Sequence, residues 1–214
     1  MEDSIISVRN VSKKFENQYV LKNISVEFHK GNIYGLIGRN GSGKTMLLKT
    51  ICGFVIPTQG EVYVRNKCVG YDVDFPDSLG FIIENPGFLP KDSGLKNLKY
   101  LASIRQQVGV DRIRECMELV GLDPSSRKPV GKYSLGMRQR LGIAQAIMED
   151  PEILILDEPM NGLDNHGVDD IRALLLRLSK EGKTIILASH SAEDIDILCN
   201  HVYKMDAGSI QKVR

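Results

Sequence analysis

The sequence has no surplus of charge of either sign. Its 214 residues carry 28 Lys and Arg against 27 Asp and Glu, a formal net charge of +1. A protein that holds nucleic acid through bulk charge needs a basic excess, so no nucleic-acid partner is expected. Long apolar runs are also missing. The longest aliphatic stretches, Ile153–Leu156 and Thr184–Ala188, fall far short of the roughly 18 residues that a spanning helix needs. Any work at a membrane must therefore come through other chains. Met1-Glu2-Asp3-Ser4 shows no basic segment leading into an apolar one, so no signal peptide is expected. The four cysteines, Cys52, Cys68, Cys116 and Cys199, form no CxxC pair, and no histidine stands at metal-finger distance from them. They are expected to be buried or idle thiols in a reducing cytosol. There are no internal repeats, no low-complexity stretch and no linker.

What is present is ordinary globular composition, with 42% hydrophobic and 26% charged residues, in a chain long enough for one substantial core. Ser4–Arg9 and Ile24–Phe28 alternate roughly as half-buried strands. Ile33–Ile37 is a buried strand that runs into a Gly-rich loop, and Lys44–Cys52 has helical spacing with Gly53 as its stop. Glu61–Val64 and Leu79–Ile83 continue the strand pattern. From about Leu95 to Glu149 the texture turns helical. Leu95, Leu98, Leu101 and Ala102 share one helix face, and Ile113, Met117 and Val120 another. Ser134 caps a third helix bearing Met137, Leu141, Ala144 and Met148. Ile153–Leu156, Thr184–Ala188, His201–Met205 and Ser209–Val213 return to strand, with helices at Val168–Ser179 and Ala192–Cys199. Strands alternating with helices predict an α/β fold with a mostly parallel sheet. The helical block is expected to be an insertion into it. The expected organisation is one domain, with the core sheet in about 1–87 and 151–214 and a helical subdomain in about 88–150.

Two segments carry phosphate chemistry. Gly38-Arg39-Asn40-Gly41-Ser42-Gly43-Lys44-Thr45 fits G-x-x-x-x-G-K-[ST] between a buried strand and a helix. Glycines let the backbone curl so that successive N–H groups face phosphate oxygens. Lys44 supplies positive charge to the β- and γ-phosphates, and Thr45 offers its hydroxyl to Mg²⁺. The helix that follows adds its N-terminal dipole. Ile153-Leu154-Ile155-Leu156-Asp157-Glu158-Pro159 is an apolar strand ending in two acids. Asp157 can reach the Mg²⁺ shell, and Glu158 can take a proton from an attacking water. Asn66-Lys67-Cys68-Val69 lacks the Asp of a guanine-reading NKxD, so ATP is the expected nucleotide.

Tyr133-Ser134-Leu135-Gly136-Met137-Arg138-Gln139-Arg140, shortly before that strand, resembles the signature of the ABC ATPase family, and the resemblance spans nearly the whole chain. Asn161-Gly162-Leu163-Asp164 looks like the family's D-loop, Ala188-Ser189-His190 like its switch histidine, and Phe15 stands where the family places an aromatic that stacks on adenine. Tyr19 is a second aromatic nearby. The resemblance implies a P-loop ATPase core with a small antiparallel β region and an inserted helical subdomain. It implies hydrolysis of ATP with Mg²⁺, and nucleotide-dependent pairing of two copies. In such a pair Ser134, Leu135, Gly136 and Met137 would face the nucleotide held by the other copy. It further implies membrane-spanning permease partners on other chains and a peripheral place on the cytoplasmic face of the membrane. Taken alone, Ser134 would read as a plain helix cap and His190 as a core histidine; His29, His166 and His201 match nothing and read as structural or surface residues.

The chain departs from the family pattern Leu-Ser-Gly-Gly-Gln at Tyr133, Leu135 and Met137. It also has Glu84, in Ile83-Glu84-Asn85-Pro86-Gly87-Phe88, where the family normally has Gln at the hinge to the helical insertion. That variant resembles the branch exporting bacitracin-like and lantibiotic peptides. It makes Glu84 a further candidate for the Mg²⁺ shell. Two other readings are a non-transport ABC ATPase acting on ribosomes or DNA and a nucleotide sensor without turnover. The single motif set without a long coiled-coil insertion, and the acid at Glu158, weigh against them.

Overall fold

The computed structural model describes residues 4–84 and 86–214. Asn85, within the hinge motif, and Met1-Glu2-Asp3 lie outside the described residues. Among the described residues, ten strands and six α-helices follow one another along the chain. Strands β1 (Ser4–Phe15), β2 (Gln18–His29), β4 (Gln59–Val64) and β5 (Lys67–Cys68) form an antiparallel sheet in the order β2-β1-β4-β5. Strands β3 (Ile33–Ile37), β6 (Leu79–Ile82), β7 (Ile153–Asp157), β8 (Thr184–Ala188), β9 (His201–Asp206) and β10 (Ser209–Lys212) form the second, ordered β10-β9-β3-β8-β7-β6. Its pairs are parallel except for the β9–β10 hairpin.

The central strands are almost wholly apolar because both faces are covered. In β7, Ile153 and Ile155 point into a core shared with Phe28, Leu47, Leu48 and Ile51. Leu154 and Leu156 point the other way, into a core shared with Ile143, Ala144, Ile147 and Leu175. The period of two does the same in β8, with Ile186 and Ala188 on one side and Ile185 and Leu187 on the other. Each such buried Leu or Ile contributes roughly 1.5–3 kcal/mol.

Helix α1 (Lys44–Ile51) follows β3 and stops at Gly53, whose φ of 86° suits only glycine comfortably. A side chain there would also meet the Asp74 carbonyl at 2.3 Å. Helices α2 (Gly94–Arg105), α3 (Val110–Leu119) and α4 (Leu135–Ile147) fill the stretch expected to be helical. Leu98, Ala102, Ile113, Met117 and Val120 are buried as their spacing predicts, while Leu95, Leu101 and Met137 pack at the edge of the same core. That core runs without a break from α2 and α3 through α4 to the sheet. Helices α5 (Asn165–Lys180) and α6 (Ala192–Leu198) complete the chain. Among the described residues no helix is long and apolar enough to cross a membrane.

Strands β1 and β2 run well past the segments read from alternation, because bulges shift their register and break the period of two. Helix α4 lies so close to β6 that a Cβ on Gly80 would stand 1.9 Å from the Ala146 carbonyl oxygen. We predict that Gly80→Ala costs about 1–3 kcal/mol by forcing this contact open, measured as a lower urea midpoint. A midpoint equal to the parent's would mean that α4 can shift at no cost.

Candidate functional site

Strand β3 ends at Ile37, and the chain curls through Gly38–Gly43 before α1 begins. Gly38, Gly41 and Gly43 have φ of 153°, 79° and 108°, a region that side chains disfavour. At Gly38 a Cβ would also lie 2.3 Å from the Met205 carbonyl, so the loop leans directly on β9. Two backbone bonds fix its shape: Ser42 N donates to Arg39 O at 3.1 Å, and Gly208 N donates to Ser42 O at 3.0 Å. The buried Lys44 reaches back over the loop, its Nζ donating to Gly38 O at 2.6 Å and Arg39 O at 3.4 Å. Ser42 Oγ is buried without a hydrogen-bond partner. A lysine held only by carbonyls and an unsatisfied hydroxyl beside it fit a phosphate, which would supply acceptors to both.

The acids arrive from β7, two strands away. Thr45 Oγ1 donates to Asp157 Oδ2 at 2.6 Å, which joins the ends of β3 and β7 across the intervening β8. These hard oxygens beside a phosphate cradle suit Mg²⁺. No cluster of three or more His, Cys, Asp or Glu able to hold a metal occurs among the described residues, so phosphate oxygens and water would complete the shell.

Glu158, the next residue, has φ of 52°, unusual for a residue with a side chain. Its N–H donates to Ala188 O at 2.9 Å and its carbonyl accepts from Gln139 Nε2 at 3.1 Å, so both sides of the peptide hold the strained turn. Its carboxylate meets the loop after β8. His190 N donates to Oε2 at 3.4 Å, and His190 Nε2 lies 3.1 Å from Oε1. That second approach is off hydrogen-bonding geometry and leaves buried Oε1 with an open acceptor. Burial pushes the Glu158 carboxyl up from its usual range, His190 opposes the shift, and the nearby Asp157 charge adds to it.

Arg39–Thr45, Asp157, Glu158 and His190 line one cleft of about 430 Å³, together with Val20, Lys49 and Glu84. Glu84 does not rest on the Thr45–Asp157 pair. Its exposed carboxylate pairs with Lys49 Nζ of α1 at 2.7 Å. Phe15 and Tyr19 do not line this cleft; both rings are nearly half exposed, under the ammonium groups of Lys13 and Lys14 respectively. Ser134–Met137 stand outside the cleft as well. Ser134 Oγ caps α4 by accepting from Met137 N at 3.1 Å, and Gly136 lies against the Gly162 carbonyl, where a Cβ would come within 2.6 Å. Asp164 caps α5, accepting from Gly167 N at 2.9 Å. The sequence gives no signal for Gln139 or Lys49, because their roles rest on contacts between distant segments.

The profile of the ABC transporter family matches residues 21–161. An uncharacterized ABC transporter ATP-binding protein of Bacillus subtilis is 45% identical over 207 residues, covering 97% of this chain and 95% of that protein. A bacitracin transport ATP-binding protein of Enterococcus faecalis is 41% identical, over 96% of this chain and 68% of its own length. A lantibiotic transport ATP-binding protein of Streptococcus pyogenes is 33% identical, over 96% of this chain and 89% of its own. Among solved structures, a dimeric bacterial ABC transporter cassette superposes with a TM-score of 0.87 at 26% identity, covering 98% of this chain and 99% of that one.

A raised Glu158 carboxyl has a defined effect on stability. Below the usual carboxylate range Glu158 is protonated in both the folded and unfolded chain and costs nothing. Above it, the unfolded chain ionises freely while the folded chain must hold a partly desolvated charge, so stability falls as pH rises through the raised value. Glu158→Gln removes that charge. The variant should therefore melt above the parent near pH 8, and the gap should close as pH falls towards 4. A gap that stays constant with pH would show that the folded state does not perturb this carboxyl.

Proposed function

The chain belongs to the ABC transporter family of ATP-binding subunits, and from that premise we propose that it hydrolyses ATP to drive a peptide-antibiotic exporter. The observation that carries the chemistry is the meeting of Lys44, Thr45, Asp157, Glu158 and His190 at three neighbouring strand ends. The phosphate loop and Lys44 hold the β- and γ-phosphates of ATP. Thr45 and Asp157 would hold Mg²⁺, which would supply neutralising charge to the phosphate oxygens. Glu158 accepts a proton from the water whose oxygen forms the new bond to the γ-phosphorus, while the bond to the ADP oxygen breaks. Its raised affinity for a proton suits a general base better than a fully solvated carboxylate would. His190 contacts the γ-phosphate and fixes the carboxylate beside it. Phe15 or Tyr19, two exposed rings outside the phosphate cleft, would stack on the adenine.

Ser134 and Gly136 serve the nucleotide of a second copy. Their position outside their own cleft supports this reading, as does the dimeric cassette among the structural relatives. The same patch on both chains would then be buried in a closed two-fold pair. The transport role rests on the bacitracin and lantibiotic relatives. The chain works at the cytoplasmic face of the membrane and docks on permease subunits beside the hinge. There Leu89 is half exposed, and Pro86, Phe88, Pro90 and Val130 line a shallow groove. Glu84 acts in coupling: Lys49 holds its carboxylate now, and bound metal would offset its charge near the γ-phosphate.

Lys44→Ala should lose ATP binding. Glu158→Gln should keep binding, lose about 10²–10⁴-fold of the phosphate-release rate, and form an ATP-dependent dimer by light scattering. Normal phosphate release by Glu158→Gln would remove the general-base reading. A separate check concerns Glu84→Gln, which should leave ATP binding intact and lower bacitracin or lantibiotic resistance more than basal hydrolysis. Unchanged resistance would make that position neutral.

A further inference from the structure

The His190 ring is about half exposed, so packing does little to aim it, and its orientation must come from the backbone on either side. Both neighbours are tied to Asp194, Ser189 to its buried carboxylate and Ser191 to its backbone N–H. Ser189 Oγ donates to Asp194 Oδ2 at 3.4 Å and accepts from Ser191 N at 3.1 Å, which uses its donor and one acceptor. Ser191 Oγ accepts from Asp194 N at 3.2 Å and caps α6. Asp194 is only 3% exposed, and its other oxygen is gripped by the Arg172 guanidinium, Nε at 2.8 Å and Nη2 at 2.5 Å. Arg172 is itself nearly buried on α5, the helix that opens at Asp164, and also reaches Glu193 at 3.1 Å and Asp169 at 3.5 Å. From α5 an unbroken set of polar contacts thus leads through Asp194 to both residues flanking His190, and from His190 N to Glu158 Oε2.

We infer that Asp194, clamped by Arg172, is a positioning residue for hydrolysis: through Ser189 and Ser191 it holds His190 and hence the Glu158 carboxylate in register with the γ-phosphate. The inference rests on His190 acting at that phosphate. An α6 cap alone needs only Ser191. It needs neither a buried acid nor a second hydroxyl at Ser189, and the doubled attachment is what points beyond capping. Charge balance also favours a fixed carboxylate here, because Arg172 faces three acids and Asp194 is the one it encloses.

Arg172→Ala would strand the buried carboxylate and threaten the fold, so the test uses Asp194→Asn and Ser189→Ala. Arg172 keeps Glu193 and Asp169 in both. Ser189→Thr, which retains the hydroxyl, is the rescue, and His190→Ala is the control. In the full chain, both test variants should lose about tenfold or more in kcat, as expected for misplaced groups. KM for ATP should barely change, and Ser189→Thr should restore the parental rate. The NMR ring signals of His190 should move in both test variants while those of His29 stay. Parental kcat in Asp194→Asn and Ser189→Ala would overturn the inference, as would a loss that Ser189→Thr does not restore. If His190→Ala itself hydrolysed ATP normally, the underlying reading of His190 would fail instead.

Discussion

Parallel pairing of β3, β8 and β7 sets their carboxyl ends side by side, and each chemical group of the site hangs from one of those ends. The phosphate loop leaves β3, His190 follows β8, and Asp157 and Glu158 close β7. The Thr45–Asp157 hydrogen bond spans the three strands and fixes the distance between the cradle and the acids. In an antiparallel sheet the same segments would leave alternate ends of the sheet, and no short loop could bring them together. The buried apolar runs that force this pairing are therefore a precondition of the chemistry.

The candidate site leaves several of its groups poorly satisfied. Lys44 is held on carbonyls, Ser42 Oγ has no partner, and Glu158 combines an unfavourable backbone angle with a partly desolvated charge. Features of this kind typically cost about 1–3 kcal/mol each. They persist because the surroundings over-determine them. Glycines admit the loop against Met205, Gln139 and Ala188 hold the Glu158 peptide from both sides, and Arg172 fixes the base of the His190 loop through Asp194. On the proposed reading, a bound nucleoside triphosphate would supply acceptors where the loop lacks them.

Much of this was legible in the residues. Ile33–Ile37 and Thr184–Ala188 are read with their observed bounds, because a strand buried on both faces is a plain apolar run between turn residues. The phosphate loop is legible because its glycines, Lys44 and Thr45 are all local in sequence. Ser134 is read correctly as the cap of α4 for the same reason. What depends on contacts between remote segments is not legible. That Glu84 pairs with Lys49, 35 positions away, cannot be seen in the sequence. Asp194 reads as one more acid in the first turn of a helix, and only the fold brings Arg172 to it. The true lengths of β1 and β2 are hidden by bulges, which break the alternation that would mark them.

On the proposed function, each cleft is chemically incomplete until a second copy adds Ser134 and Gly136. Mixing two inactive chains tests it most directly. Lys44→Ala spoils the cradle and leaves the residues offered to the partner; Ser134→Arg does the reverse. Only a mixed pair contains one intact composite site. Each variant alone should be inactive, and an equal mixture should recover about a quarter of the parental ATPase rate, as a closed two-fold pair with random mixing requires. A mixture as inactive as its components, with mixed pairs shown to form, would contradict it.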